Sequence, residues 1–300
     1  MSENEKRMSR RSFLAVGGGV LGSLAFTGCG KKAPAGLSGS IPEDEPYCGF
    51  RMGVQSYCFR EFESADQVIE LLKTLKLAHV EIWPGGHMPI DLPADQLQAR
   101  VKQYHDAGIT IDACGVLGLE NDEEKCRKIF DYARTLGVLS ISAGPAYEAI
   151  PMLDALTEEY GIPIAIHNHG PQDELWGTPE KIRAGLAGTS SRIGLCPDLG
   201  HFHRAGFDPM PVIDEFADRI NGMHLKDMVP PEGGGDGSGS DWVDEIVGRG
   251  RVSLPELLTK LKNIGFKGSF SLEYESDPSD PIPAMQECLK EIRSACMDIS

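Results

Sequence analysis

Residues 162–171 read IPIAIHNHGP, an alternating apolar run that passes straight into His167, Asn168 and His169. Successive side chains on a strand point to opposite faces. The stretch therefore predicts a short strand with His167 and His169 on one face and Asn168 on the other. Two imidazoles delivered together at a strand end place chemistry at the rim of a core, not inside it. The pattern recurs. Short apolar runs at 52–57, 79–83, 109–113, 139–143, 162–166, 192–195, 222–225 and 269–272 alternate with stretches of helical periodicity. Those stretches are 65–77, 94–107, 121–136, 148–160, 179–186, 211–216, 254–264 and 282–297, several opened by start signals such as Ser64 and Ser253.

Eight strands alternating with eight helices in about 250 residues predict an α/β protein of the (β/α)8 TIM-barrel class. An open doubly wound sheet alternates too, but it commonly carries a glycine-rich phosphate loop after its first strand. Here that place reads VQSYCFREF (54–62), without a glycine.

The ends of the chain read differently. Ser9-Arg10-Arg11-Ser12-Phe13-Leu14 resembles a twin-arginine export signal, and the apolar run that follows is shorter than the ~20 residues of a membrane span. It closes on Phe26-Thr27-Gly28-Cys29, similar to a lipoprotein cleavage box with Phe where Leu is usual. We expect residues 1–29 to be a leader, 30–46 a Pro/Gly/Ser-rich linker and 47–300 the catalytic domain. The expected location is periplasmic or membrane-anchored, with the membrane touched only through signal or lipid. With 45 acidic against 29 basic residues and a net charge of −16, the surface repels nucleic acid. Seven further cysteines are scattered without CxxC spacing; an exported chain can hold a disulfide, but the pairing is not legible.

A barrel of this class builds its active site at the C-terminal ends of its strands, and polar residues gather there. The second strand offers Glu81, with Trp83 and His87 just beyond; the fifth His167, Asn168 and His169. Asp198 and His201 follow the sixth, His224, Lys226 and Asp227 the seventh, and Glu273 the eighth. Mixed imidazole and carboxylate donors suit one divalent ion such as Mn, Zn, Co or Fe. No thiol joins the set, which argues against a structural zinc site.

VEIWPGGH, DLGH, MHLKD and GSFSLEYE, in this order and spacing over residues 52–296, resemble the xylose-isomerase-like TIM barrels, also called the sugar phosphate isomerase/epimerase superfamily. The resemblance implies one metal held by His167, Asp198, His224 and Glu273. It also exposes a departure, since family isomerases and epimerases place glutamate where this chain has His167. An imidazole committed to a metal is a poor base. Acid/base work would then fall to Glu81, His87, His169, His201 and Lys226, with Glu273. Trp83, Asn168, His201 and Asp227 are the expected substrate contacts, and Trp176 a second stacking candidate.

The implied activity is isomerisation or epimerisation of a small carbohydrate through an enediolate, in a chain free to form a homo-oligomer. β-Elimination from a 3-keto-glycoside, a lyase or hydratase reaction, is the alternative. A nuclease of the same barrel is disfavoured by the acidic balance; a non-catalytic sugar-binding lipoprotein would keep the fold and lose the chemistry. The glycine-rich run 230–240 is placed to act as a lid.

Overall fold

Strand β1 (Met52–Gln55) opens a parallel sheet that continues through β2 (His79–Ile82), β3 (Thr110–Leu119), β4 (Ser140–Pro145), β5 (Ile164–His167) and β6 (Ile193–Cys196). β7 (Gly222–Leu225) and β10 (Ser269–Leu272) complete it, in the order β6-β5-β4-β3-β2-β1-β10-β7. The computed structural model describes residues 46–232, 239 and 241–299; the expected leader, almost all of the linker and most of the glycine-rich run lie outside the described residues. The sheet closes between β6 and β7, where Asn221 N donates to Leu195 O (2.8 Å) and His224 N to Pro197 O (3.1 Å). The result is the (β/α)8 barrel that the alternation predicted.

The outer layer is α1 (Ala65–Leu75), α2 (Ala94–Asp106), α3 (Glu123–Leu136), α4 (Ile150–Tyr160), α5 (Pro179–Leu186), α7 (Pro209–Glu215), α8 (Leu254–Ile264) and α9 (Ile282–Asp298). Their apolar stripes face the sheet. α1 buries Val68, Ile69, Leu72 and Leu75, each worth about 1.5–3 kcal/mol, and Ser64 with Gln67 closes a capping box at its start.

Three features were not read from the sequence. β3 runs on to Leu119. A short helix α6 (Leu199–Arg204) follows β6, capped by Asp198. A two-stranded antiparallel ribbon, β8 (Asp227–Val229) with β9 (Val243–Glu245), flanks the glycine-rich run.

The two ends of the barrel differ. At the N-terminal ends of the strands Phe50 packs on Phe266 and Phe270, with ring centroids 6.1 and 5.5 Å away, and Tyr47 accepts a hydrogen bond from Arg293 (2.7 Å). A Cys48–Cys296 disulfide ties this entry segment to α9. The remaining described cysteines, Cys58, Cys114, Cys126, Cys196 and Cys288, are buried thiols. At the C-terminal ends the polar residues collect.

Candidate metal centre and active-site cavity

His167 closes β5, Asp198 follows β6, His224 lies within β7 and Glu273 directly follows β10. One donor atom from each lies within 4.8 Å of all the others. His167 Nε2 stands 3.5 Å from Asp198 Oδ2 and 3.8 Å from Glu273 Oε2, while His224 Nδ1 is 2.6 Å from the same Glu273 oxygen. All four side chains are buried. Both nitrogens of His167, Asp198 Oδ2, His224 Nδ1 and Glu273 Oε2 find no hydrogen-bond partner among the described residues. Burying polar atoms unpaired costs about 1–3 kcal/mol apiece, and convergent lone pairs of this kind are what a cation satisfies. Two imidazoles and two carboxylates fit a divalent ion of the Mn, Fe, Co or Zn type.

Local structure aims each group. Asp198 caps α6 by accepting from His201 N (2.7 Å), which fixes one oxygen and leaves the other for the cluster. Asn168, on the opposite face of its strand, clamps the Asp198 backbone: its amide donates to Asp198 O (3.2 Å) and its carbonyl accepts from Asp198 N (2.9 Å). Asn168, expected as a substrate contact, thus shapes the centre from outside the cavity lining.

Charge follows from this packing. Burial raises the Asp198 carboxyl, but His201, His167 and Lys226 outweigh it and hold the group at about 2. Glu273 stays well below the usual carboxylate range because Lys226, His224 and His167 outweigh its burial. Burial opposes the charge on Lys226, yet Glu273, Asp198 and Glu275 raise its pKa, so it remains an ammonium. The His169 imidazole is pushed down to about 4, first by burial and then by His167, so it is neutral at pH 7 with a lone pair to offer.

His167 and Glu273 of the cluster reach a cavity of ≈ 640 Å³, which His169, His201 and Lys226 line together with Trp83. Those sequence-predicted residues are brought together. Others are not. Glu81 is fully buried and does not line the cavity: its Oε2 accepts from Ser271 Oγ (2.8 Å) and lies 2.9 Å from His224 Nε2, inside the barrel. His87 is buried away from the cavity because the WPGGH loop folds back under Trp83, where a Cβ on Gly85 would sit 2.1 Å from the indole. Arg100 of α2 then binds the His87 carbonyl. Asp227 does not line the cavity either, accepting from the backbone N–H groups of Gly248, Gly250, Arg251 and Val252 at 2.7–3.2 Å. It organises the loop after β9. Trp176 donates to Pro145 O (2.8 Å) and is packing.

Glu275, Arg60, Arg204, Tyr57, Trp242 and Asp244 also line the cavity without having been singled out. Glu275 had a signal. Two residues beyond Glu273 in LEYE, it keeps the parity of that residue, and it contacts the Lys226 ammonium. Trp242 and Asp244 had none, because the β8–β9 ribbon that carries them across the mouth is a tertiary arrangement. Asp244 pins the ribbon to the segment after β10 by accepting from Glu275 N (2.6 Å) and Ser276 N (3.1 Å).

Residues 69–294 match the family described as xylose isomerase-like TIM barrel. Among curated proteins, the chain is similar to the rhizopine catabolism protein MocC of Rhizobium meliloti, 32% identical over 133 residues, 42% of this chain and 40% of that protein. It is likewise similar to inosose dehydratase of Klebsiella pneumoniae, 30% identical over 146 residues, 44% and 47% of the two chains. The chain thus spans less than half the length of these curated relatives. Among solved structures, the IolI protein with a bound zinc atom superposes with a TM-score of 0.67 at 20% identity, covering 84% of this chain and 99% of that one. At that identity the likeness is one of fold.

Proposed function

This chain belongs to the xylose isomerase-like TIM barrel family, and on that premise we propose that it is a divalent-metal-dependent carbohydrate enzyme whose first step is loss of a proton beside a sugar carbonyl. The buried His/Asp/His/Glu cluster, which reaches the cavity through His167 and Glu273, carries this reading. The superfamily holds isomerases, epimerases and dehydratases, and elimination is the outcome this site supports best. The ring of His167, standing where the resemblance calls for a glutamate, lies among the other donor atoms. Glu273 is then without the strand-five glutamate that the resemblance sets opposite it across the substrate. The cavity offers instead His169 and His201 as imidazoles and Lys226 as an ammonium. One base and one acid suffice for β-elimination. The dehydratase name of the Klebsiella relative supports the same direction.

A divalent ion at the cluster would draw electron density from the carbonyl oxygen and make the adjacent C–H acidic. His169, neutral and facing the cavity, is placed to take that proton. The electron pair of the C–H bond becomes the carbon–carbon double bond as the β carbon–oxygen bond breaks. Lys226, held by Glu273 (3.9 Å) and Glu275, is placed to give a proton to the departing oxygen, which leaves as water or an alcohol. Trp83 and Tyr57, their rings 5.1 Å apart, offer an apolar wall to the ring of the sugar. The leader read in residues 1–29 would put this chemistry outside the cytoplasm, a compartment in which a bridge such as Cys48–Cys296 persists.

The test is product analysis with a keto-inositol and a 3-keto-glycoside, in D2O, with and without added Mn2+, Zn2+ or Co2+. Metal-dependent appearance of a conjugated enone with loss of water or aglycone is expected. An isomeric product that retains every heavy atom and carries solvent deuterium would replace elimination by isomerisation. No turnover together with sugar binding would leave a binding protein.

A further inference from the structure

The interior of a (β/α)8 barrel is ordinarily filled by layers of branched apolar side chains. On the far side of His224 from the metal cluster, this barrel holds a carboxylate. β2 pairs only with β1 and β3, so the contacts of Glu81 with His224 of β7 (2.9 Å) and Ser271 of β10 (2.8 Å) run across the barrel interior. Glu81 and His224 are both fully buried, and Glu81 lies outside the cavity wall. His224 is therefore gripped from two sides. Its Nε2 meets Glu81, and its Nδ1 turns to Glu273 and the cluster.

We propose that Glu81 is a positioning residue for the metal centre: by accepting the Nε2–H of His224 it fixes the tautomer whose Nδ1 lone pair faces the cluster, and so sets the affinity of the chain for a divalent ion. The inference rests on the metal reading above but on no particular sugar reaction. A buried carboxylate is costly unless paired, and an apolar residue would fill the same space more cheaply if only packing were needed. Ser271 holds Glu81 in place and is part of the same device. Carboxylates behind ligating histidines typically carry 10–100-fold in metal affinity.

The experiment strips the full chain of metal with a chelator and titrates Zn2+ and Co2+ against a chromophoric competitor, with no substrate present. Wild type, Glu81→Gln, Ser271→Ala and Asp112→Asn are compared, the last disturbing a buried carboxylate near the N-terminal ends of the strands, outside the cluster. Expected is a 10–100-fold loss of affinity in Glu81→Gln, a smaller loss in Ser271→Ala and none in Asp112→Asn. Long-range 1H–15N spectra of the zinc-loaded wild type are expected to show one histidine bound through Nδ1 with a protonated Nε2. Wild-type affinity in Glu81→Gln, an equal loss in Asp112→Asn, or a wild type that takes up neither ion would overturn the proposal. Failure of the elimination chemistry with these affinities as expected would leave it standing.

Discussion

Histidine and carboxylate meet at both ends of the barrel, half-buried around Asp112 at one and fully buried at the other, and the two groups are built differently. At the N-terminal ends of the strands, Asp112 of β3 meets Arg51 (3.2 Å) on one oxygen and His79 Nδ1 (2.8 Å) on the other. A permanent cation is built in, and the group closes on itself under the aromatic plug. At the C-terminal ends His167, Asp198, His224 and Glu273 converge without an arginine, beside the Lys226 ammonium 3.9 Å from Glu273. Residue type is nearly the same in both. The difference is one of setting: the first group is a carboxylate held by a guanidinium and one imidazole, whereas the second gathers four donors from four strand ends, and two of them, His167 and Glu273, line a cavity.

The sharpest way to break this comparison is to make one substitution at both ends. Asp198→Asn is expected to reduce metal content from near one equivalent to near none, read by elemental mass spectrometry, and to abolish turnover. Asp112→Asn should leave metal content alone and cost about 3 kcal/mol in denaturant unfolding. Metal loss in both variants would end the distinction. Within the upper group, Lys226→Met is expected to lower kcat about 10²–10⁴-fold while metal is retained, separating proton transfer from metal binding.

Smaller effects sharpen the lower end. Cys48→Ser is expected to cost about 2–4 kcal/mol, seen as a lower melting temperature that reductant does not lower further; an unchanged melting temperature would remove the disulfide from the account of that end. A pH-dependent effect concerns His87, in the loop after β2, whose pKa burial and then Arg100 push down to about 4. Between the ordinary histidine value near 6.5 and about 4, the unfolded chain takes up a proton that the folded chain refuses. Stability contributed by the neutral ring is thus present above pH 6.5 and lost on acidification, on the order of 3 kcal/mol in full. Unfolding of His87→Leu at pH 7.5 and 4.5 should show a flatter acid slope than wild type; an unchanged slope would mean that His87 does not carry it.

Much of this was legible in the residues because it is local. Alternation of 2.0 and 3.6 periodicities located the eight barrel strands and most helices, and strand parity told that His167 and His169 share a face while Asn168 does not. The end of each strand is a sequence property, so the polar residues that collect at one rim of the barrel were visible too. Parity also marks Glu275 beside Glu273. Where the reading failed, the cause was a loop or a cross-barrel contact. His87 and Asp227 are one fold-back away from the cavity they were expected to line, and Glu81, expected to do acid/base work at the mouth, faces the barrel interior.

The sequence by itself determined the order of elements, the class of fold and the set of donors at the strand ends, because each depends on periodicity along the chain. Tertiary structure alone decided which donors converge, which are satisfied and which are left for a ligand. Those outcomes depend on side chains from β2, β5, β6, β7 and β10 meeting across a closed barrel, at separations such as the 143 residues between Glu81 and His224 that no local pattern encodes.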